Sequence, residues 1–349
     1  MAKAEIFSFD DAMNEARHCK KKHILLGNGF SVAIRPNIFS YTSLYENADF
    51  SAHNNVKKIF ESLGTMDFEI VIRHLQDSAK TISIYDPSNT ELFNELRNDA
   101  EFVKDALVSA VAKRHPNRPF DIKPHNYTRC RNFLSQFDHI FTLNYDVILY
   151  WALMQEEFDD LDLKPDDGFR HPHDDTDAPY VSWQQGNKST VNYLHGALHL
   201  YDNGSEITKY TWSKTDRPIV EQIRAALDED RFPVFVSEGT SDSKLRKIMH
   251  NAYLHKAYRS FEGCCGSKNN AIVVYGHSLA ENDWHILKCI ARGQVAQLLV
   301  GIYGDPNTPA NREAIANANK IAELRETYSR GKAPLNLVLF DAASANVWG

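Results

Sequence analysis

Short runs of consecutive apolar residues, many of them β-branched or aromatic, punctuate the chain. They are HILLGNG (23–29), DHIFTLN (138–144), VNYLHG (191–196), FPVFVSEG (232–239), AIVVYGHSL (271–279), QLLVGIYG (297–304) and LNLVLFDA (335–342). Several are apolar at successive rather than alternate positions, which suits strands covered on both faces. The stretches DVILYWALMQEE, SDSKLRKIMHNAYLHKAYRSF, ENDWHILKCIARG and NREAIANANKIAELRETY, which stand between or beside these runs, carry helical spacing instead. Two of them open on Ser or Asn caps. This alternation predicts an α/β fold with a doubly wound, mostly parallel sheet.

The pattern changes after the first run. More than a hundred residues follow without a convincing strand, too long for one crossover. NVKKIFESL, DFEIVIRHLQDSAKTI and TELFNELRNDAEFVKDALVSAVAKRH are amphipathic, the last with Leu92, Phe93, Leu96, Phe102, Val103, Ala106, Leu107, Ala110 and Val111 near one stripe. We read an inserted helical subdomain over 36–125, with 1–35 and 126–349 forming the sheet domain. From Glu156 to Asp177 ten acidic residues face only Lys164 and Arg170, broken by Pro165, Gly168 and Pro172. That run reads as an exposed loop.

Composition narrows the function classes. The chain has 349 residues, 39 Lys and Arg against 46 Asp and Glu, and a net charge of −7. Such a surface offers no general attraction to a phosphate backbone, so nucleic acid is not an expected partner. The first residues lack the apolar core of a signal peptide and no later run reaches membrane-spanning length, so a cytoplasmic protein with no membrane contact is expected. The five cysteines form no CxxC pair, which encodes neither a disulfide framework nor a four-thiolate zinc site. RHPHDDTD (170–177) holds His171, His173, Asp174, Asp175 and Asp177 but no regular element to fix a metal's geometry. Cys264 and Cys265 read as packing or a turn. No metal is expected.

In an open α/β sheet, ligands bind beyond the carboxyl ends of the strands. Four such ends are unusually polar: Gly27-Asn28-Gly29-Phe30-Ser31, Thr142-Leu143-Asn144-Tyr145-Asp146, Leu194-His195-Gly196 and Gly276-His277-Ser278-Leu279. The first has Val32 where a dinucleotide fingerprint needs its third glycine, so a phosphate turn and a plain tight turn both remain open. The second puts Thr142, Asn144 and Asp146 on one side, where they can grip ribose hydroxyls or orient a water, or else cap the following helix. His195 suits proton transfer near neutrality, although it is one of fifteen histidines.

Taken together and in order, GNGFS, TLNYD, LHG and YGHSLAEND resemble the sirtuin-like superfamily, in particular its bacterial NAD-hydrolase branch found in defence systems. That branch runs G-x-G-x-S, T-x-N-x-D, H-G and a late G-x-S-L followed by acidic residues. DFEIVIRHL (67–75) also looks like its helical-module segment. The resemblance implies a Rossmann-like domain with NAD across the strand ends. Gly27, Gly29 and Ser31 would hold the pyrophosphate side, with Asn28 and Phe30 inside that turn. Asn144 and Asp146 would sit at the nicotinamide ribose beside Thr142. His195, followed by Gly196, matches the catalytic histidine, and Gly276 and Ser278, flanking His277, match the adenosine-ribose and phosphate contacts. Sirtuin deacylases usually carry two CxxC pairs around a zinc; their absence here argues against deacylation.

The resemblance implies an NAD glycohydrolase giving nicotinamide and ADP-ribose or its cyclic form. Asn144 would orient water, His195 would take a proton from a ribose hydroxyl or from the attacking water, and Asp146 would stabilise positive charge or fix the ribose. It also implies a regulated NAD-depleting effector of antiphage defence, held in check by homo-oligomerisation or a separate sensor subunit. A non-catalytic subunit that binds NAD or ADP-ribose is the alternative.

Overall fold

The structure, a computed structural model, describes residues 5–349 apart from 162, 173, 174, 176, 185, 187, 188, 212–216, 230, 238 and 239. His173 and Asp174 of the RHPHDDTD segment therefore lie outside the described residues.

The strands are β1 (Ile6–Phe7), β2 (Lys21–Leu26), β3 (His139–Thr142), β4 (Phe169–Arg170), β5 (Tyr180–Trp183), β6 (Val191–Tyr193), β7 (Leu200–Asp202), β8 (Ile207–Tyr210), β9 (Asn270–Tyr275), β10 (Gln297–Ile302) and β11 (Asn336–Asp341). Seven form one sheet in the order β1-β11-β10-β9-β2-β3-β6. Every neighbouring pair in it is parallel. Leaving out the short edge strand β1 and counting the rest along the chain, the order is that of a Rossmann sheet, two βαβαβ halves meeting between β2 and β9.

The consecutive apolar runs have a simple cause. Successive strand residues face opposite sides, and both sides are covered. Ile24, Leu26, Val273 and Leu299 enter one core, while their neighbours Leu25, Ile272, Val274 and Leu298 enter the other.

From β2 to β3 the chain is helical: α1 (Phe9–Glu15) precedes β2, and α2 (Gly29–Ile34), α3 (Pro36–Phe39), α4 (Tyr41–Asn47), α5 (Asn54–Leu63), α6 (Phe68–Tyr85), α7 (Thr90–Arg114) and α8 (Pro124–Leu134) follow it. The α6 start is set by Asp67, whose carboxylate accepts from the Glu69 and Ile70 amides. After β3 come α9 (Ile148–Leu153), α10 (Ile219–Asp228), α11 (Ser241–His250), α12 (Ala252–Cys265), α13 (Trp284–Arg292) and α14 (Pro309–Ser329). Asn251 divides the long helical stretch into α11 and α12, closing one and capping the next through its side chain. No helix is long and apolar enough to cross a membrane among the described residues.

Two expectations change. FPVFVSEG is not a sheet strand. It runs alongside the turn after β6, where Val234 and Val236 donate to Leu200 and His195 carbonyls and Ala197 donates to Val234; Gly196 and Phe235 make a lone antiparallel bridge. Pro233 has no amide to offer a ladder, and residues 238 and 239 fall outside the described set. The acidic run is not simply an exposed loop either. It contributes β4 to a second, antiparallel sheet of order β4-β5-β8-β7, and Asp159 neutralises the fully buried Arg131. Asp167 pairs with Lys209.

Candidate functional site

The polar strand ends follow β9, β2, β3 and β6, which are adjacent in the sheet, so residues more than a hundred positions apart meet at one edge. The turn after β2 is built on the turn after β9. The Gly27 amide donates to Tyr275 O and the Gly29 amide to Gly276 O, at 2.9 and 2.8 Å. A Cβ on Gly29 would stand 2.6 Å from Gly276 Cα, and one on Gly276, at φ +70°, would stand 2.6 Å from the Phe30 nitrogen. These glycines let the two turns touch.

Ser31 is buried under that contact. Its hydroxyl donates to Asp146 Oδ2 at 2.6 Å and accepts from Asn144 Nδ2 at 3.0 Å. Asp146 Oδ1 receives the Ile148 amide at the start of α9, so both carboxylate oxygens are engaged, and burial raises its pKa. Thr142 Oγ1 receives the Asn144 amide. The result is an asparagine whose Nδ2 is anchored and whose Oδ1 is buried without a partner. An unpaired buried carbonyl costs about 1–3 kcal/mol unless a ligand or water meets it.

Around this group lies a cavity of about 340 Å³, roofed by Phe39, Leu44, Phe68, Leu107 and Val111 from the helices between β2 and β3. That is within the range of about 300–1,000 Å³ typical for small-molecule sites. Asn28, Gly29, Asn144, Asp146, His195, Gly276, His277 and Ser278 all line it. Gly27, Phe30, Ser31, Thr142 and Gly196 stand behind the wall. Phe30 packs against Trp348, which donates to its carbonyl. At Gly196, φ is +78°, and a side chain would collide with the Val234 carbonyl. Asn28 Nδ2 donates to Phe39 O, tying the first turn to the roof.

Four carboxylates line the cavity, Asp67, Glu69, Asp146 and Asp283, and no Lys or Arg does among the described residues. Behind it, Lys244 is fully buried, with Nζ 2.6 Å from Glu69 Oε2 and 2.9 Å from Asp283 Oδ1. Burial disfavours its charge, yet the two carboxylates outweigh burial and hold its pKa above the ordinary lysine value. Burial likewise works against the Asp283 anion, but Lys244 and His277 hold that carboxyl well below the usual range. Burial pushes Glu69 up, opposed by Lys244. Glu69 also receives Asn282 Nδ2 at 2.6 Å, and Tyr145 OH lies at 3.0 Å. His277 accepts the Leu279 amide on Nδ1 and donates from Nε2 to Asp283 Oδ2, which fixes its tautomer.

His195 Nε2 lies 3.0 Å from His285 Nε2, and Ser241 Oγ meets His285 Nδ1 at 3.3 Å. Two facing nitrogens share one proton, burial disfavours a charge on either ring, and the other ring nitrogen of His195 is left for a ligand. Burial depresses both pKa values, that of His285 to about 3. His195, His285 and Asp283 have the composition of a metal site. Lys244, however, already supplies the cation at Asp283, and we assign no ion there.

The neutral histidines carry a stability prediction. His115, with Nδ1 donating to Pro116 O and Nε2 accepting the Val147 amide, is held by burial at about 4. The unfolded chain takes up these protons near about pH 6.5. Folded-state values below that make stability fall as pH drops through 6.5. By pH 5, His115 and His285 together remove about 4 kcal/mol from a total of about 5–15. Urea midpoints from pH 7.5 to 5 should fall steeply, and a flat series would refute the buried neutral assignment.

Sequence reasoning missed His285 and Lys244. His285 stands two residues after Asp283, at the end of the quoted acidic tail, and that spacing was its available signal. Lys244 sits on a helix with no motif.

Residues 24–348, from within β2 to the penultimate residue, match the profile of a family described as a domain of unknown function, DUF4917. The chain belongs to the DUF4917 family. A search of curated proteins finds no match to this sequence.

Proposed function

We propose that this DUF4917 protein cleaves the nicotinamide–ribose bond of NAD. The observation that carries the reading is an acidic cavity at the crossover between β2 and β9 that holds a bare, anchored Asn144 carbonyl beside a neutral His195. Crossover crevices in this sheet order are where dinucleotides bind. The carboxylate lining suits the cationic nicotinamide ribosyl end of NAD better than its anionic pyrophosphate. The pyrophosphate then lies outward, near Asn28 and Ser278.

Heterolysis sends the C1′–N electron pair to nicotinamide, which leaves neutral, and positive charge develops on the ribose ring. Asp146, Glu69 and Asp283 provide the field that stabilises this cation. Asn144 Oδ1 accepts a hydrogen bond from water and orients it toward C1′. As water adds, its proton passes to the free nitrogen of His195, with His285 holding the ring. A cationic acceptor needs only a weak base, which matches a depressed histidine. The products are nicotinamide, ADP-ribose and a proton; attack on C1′ by adenine N1 or a ribose hydroxyl of the same molecule in place of water gives a cyclic form. Control through self-association or a sensor subunit belongs to the same reading, since free turnover would drain the host's NAD.

Purified protein incubated with NAD, alone and with proteins encoded beside it, should release nicotinamide detectable by chromatography. Calorimetric binding of NAD with no nicotinamide under any of these conditions would replace catalysis with the non-catalytic alternative. Because His195 and His285 stay neutral well below the usual histidine value, kcat/KM should show no inflection at about pH 6.5. An inflection there would refute the neutral pair.

A further inference from the structure

One cluster of metal-ligating side chains lies away from the cavity, toward the amino ends of the strands. Parallel pairing sets His23 of β2 beside His139 of β3, with ring centroids 5.2 Å apart. Cys264, in the last turn of α12, completes the group. One ligand atom from each lies within 4.8 Å of the other two. Gly27 lies four positions along the chain from His23, about 13 Å at the usual strand rise, so this place is distinct from the cavity.

Two unexplained atoms mark it. His23 Nδ1 and His139 Nδ1 are both buried and have no hydrogen-bond partner. Adjacent imidazoles with bare nitrogens are unfavourable in a dry interior unless something bridges them. We propose that His23, His139 and Cys264 bind a divalent ion of the zinc class. Two imidazoles and a thiolate are the donors that zinc prefers, and bond lengths of about 2.0–2.3 Å would draw the three atoms to about 3.3–3.8 Å apart. The Cys264 thiol gives up its proton to solvent on binding, as a zinc-bound thiol does.

The surroundings fit that charge. The Asp138 carboxylate acts on all three side chains and is held in place by the Lys22 amide at 2.9 Å. A dication, one thiolate and this neighbouring carboxylate sum to zero. Lys21 acts against it from the strand start. Asn270 supplies the outer shell: Nδ2 donates to Cys264 O and lies 3.0 Å from His23 Nε2. In the ion-free protein His23 Nε2 accepts and the proton sits on Nδ1. On loading, the proton moves to Nε2 and the Asn270 amide turns to receive it on oxygen, giving up its bond to Cys264 O and orienting the ligand. The bound ion would join β2, β3 and α12.

The test uses the full chain, stripped with chelator and desalted, then titrated with zinc chloride alone and, separately, with cobalt(II). Wild type should bind one zinc per chain and show a thiolate-to-cobalt charge-transfer band. Cys264→Ser, at a half-buried position that tolerates the change, should lose the band. It should also weaken zinc binding beyond the roughly 10–100-fold typical of outer-shell losses. His139→Gln should do the same while circular dichroism stays native; if that variant fails to fold, Cys264→Ser decides. No stoichiometric zinc in wild type, or zinc binding unchanged in folded Cys264→Ser, would overturn the site. NAD turnover plays no part in the readout.

Discussion

His195→Ala should lower nicotinamide release by about 10²–10⁴-fold, the usual worth of a positioned proton acceptor, a loss far beyond the roughly 1–3 kcal/mol of stability expected when buried His285 Nε2 loses its partner. Asn144→Ala should cost about 10² through the loss of an oriented water. Ser31→Ala should cost less than Asn144→Ala, because it frees the Asn144 amide without removing its carbonyl. The order of these three losses is informative. Ser31 and Asp146 stand together in the GNGFS and TLNYD motifs, yet Ser31 is behind the cavity wall and both Asp146 oxygens are committed to the protein. Ser31 acts through Asn144, and Asp146 acts through its field in the cavity and through its hold on Ser31. Rates measured at saturating NAD should separate them, since kcat falls in all three variants and KM moves little. Equal rates in His195→Ala and wild type would remove the histidine from the chemistry.

Lys244→Met should destabilise the fold by about 3–5 kcal/mol, because it strands the Glu69 and Asp283 carboxylates without their shared cation. The damage should be greater at pH 8 than at pH 6. Without Lys244 the buried carboxyls favour protonation, so acid neutralises them and alkali does not. Adding Asp283→Asn to Lys244→Met should recover part of the loss, and the coupling between the two changes should be large, as expected for groups in contact. Chemical denaturation of the single and double variants at both pH values measures it. Additive losses would show that the three groups are not one network. Through Glu69 the same lysine ties the α6 helix to the sheet edge, so the variant should also open the cavity roof and raise the KM for NAD.

The parts that were legible in the sequence share a physical basis. Ile24-Leu25-Leu26 and Ala271-Ile272-Val273-Val274 are apolar at every position because each strand is covered on both faces, and that signal is local. The polar ends Asn144, His195 and Ser278 stood out because strand ends are short and their residues unusual. The remaining features depend on contacts between distant segments. FPVFVSEG has strand composition but spends its hydrogen bonds on the turn after β6. The small sheet of β4, β5, β7 and β8 has strands of two to four residues, too short for alternation to register, and Asp159 and Asp167 read as solvated because their partners Arg131 and Lys209 are distant in the chain. Gly27 and Gly29 are legible as a turn, but that the turn exists to receive Gly276 is visible only when β2 and β9 are neighbours. Lys244 carried no sequence signal at all, because a lysine on an amphipathic helix reads as solvent-facing.

The most direct test of the central claim is a crystal structure of His195→Ala grown with NAD. The nicotinamide riboside should lie inside the acidic cavity, with its C1′ facing Asn144 Oδ1 and its pyrophosphate outside, near Asn28 and Ser278. NAD bound elsewhere, or bound with its adenine end in the cavity, would contradict that claim.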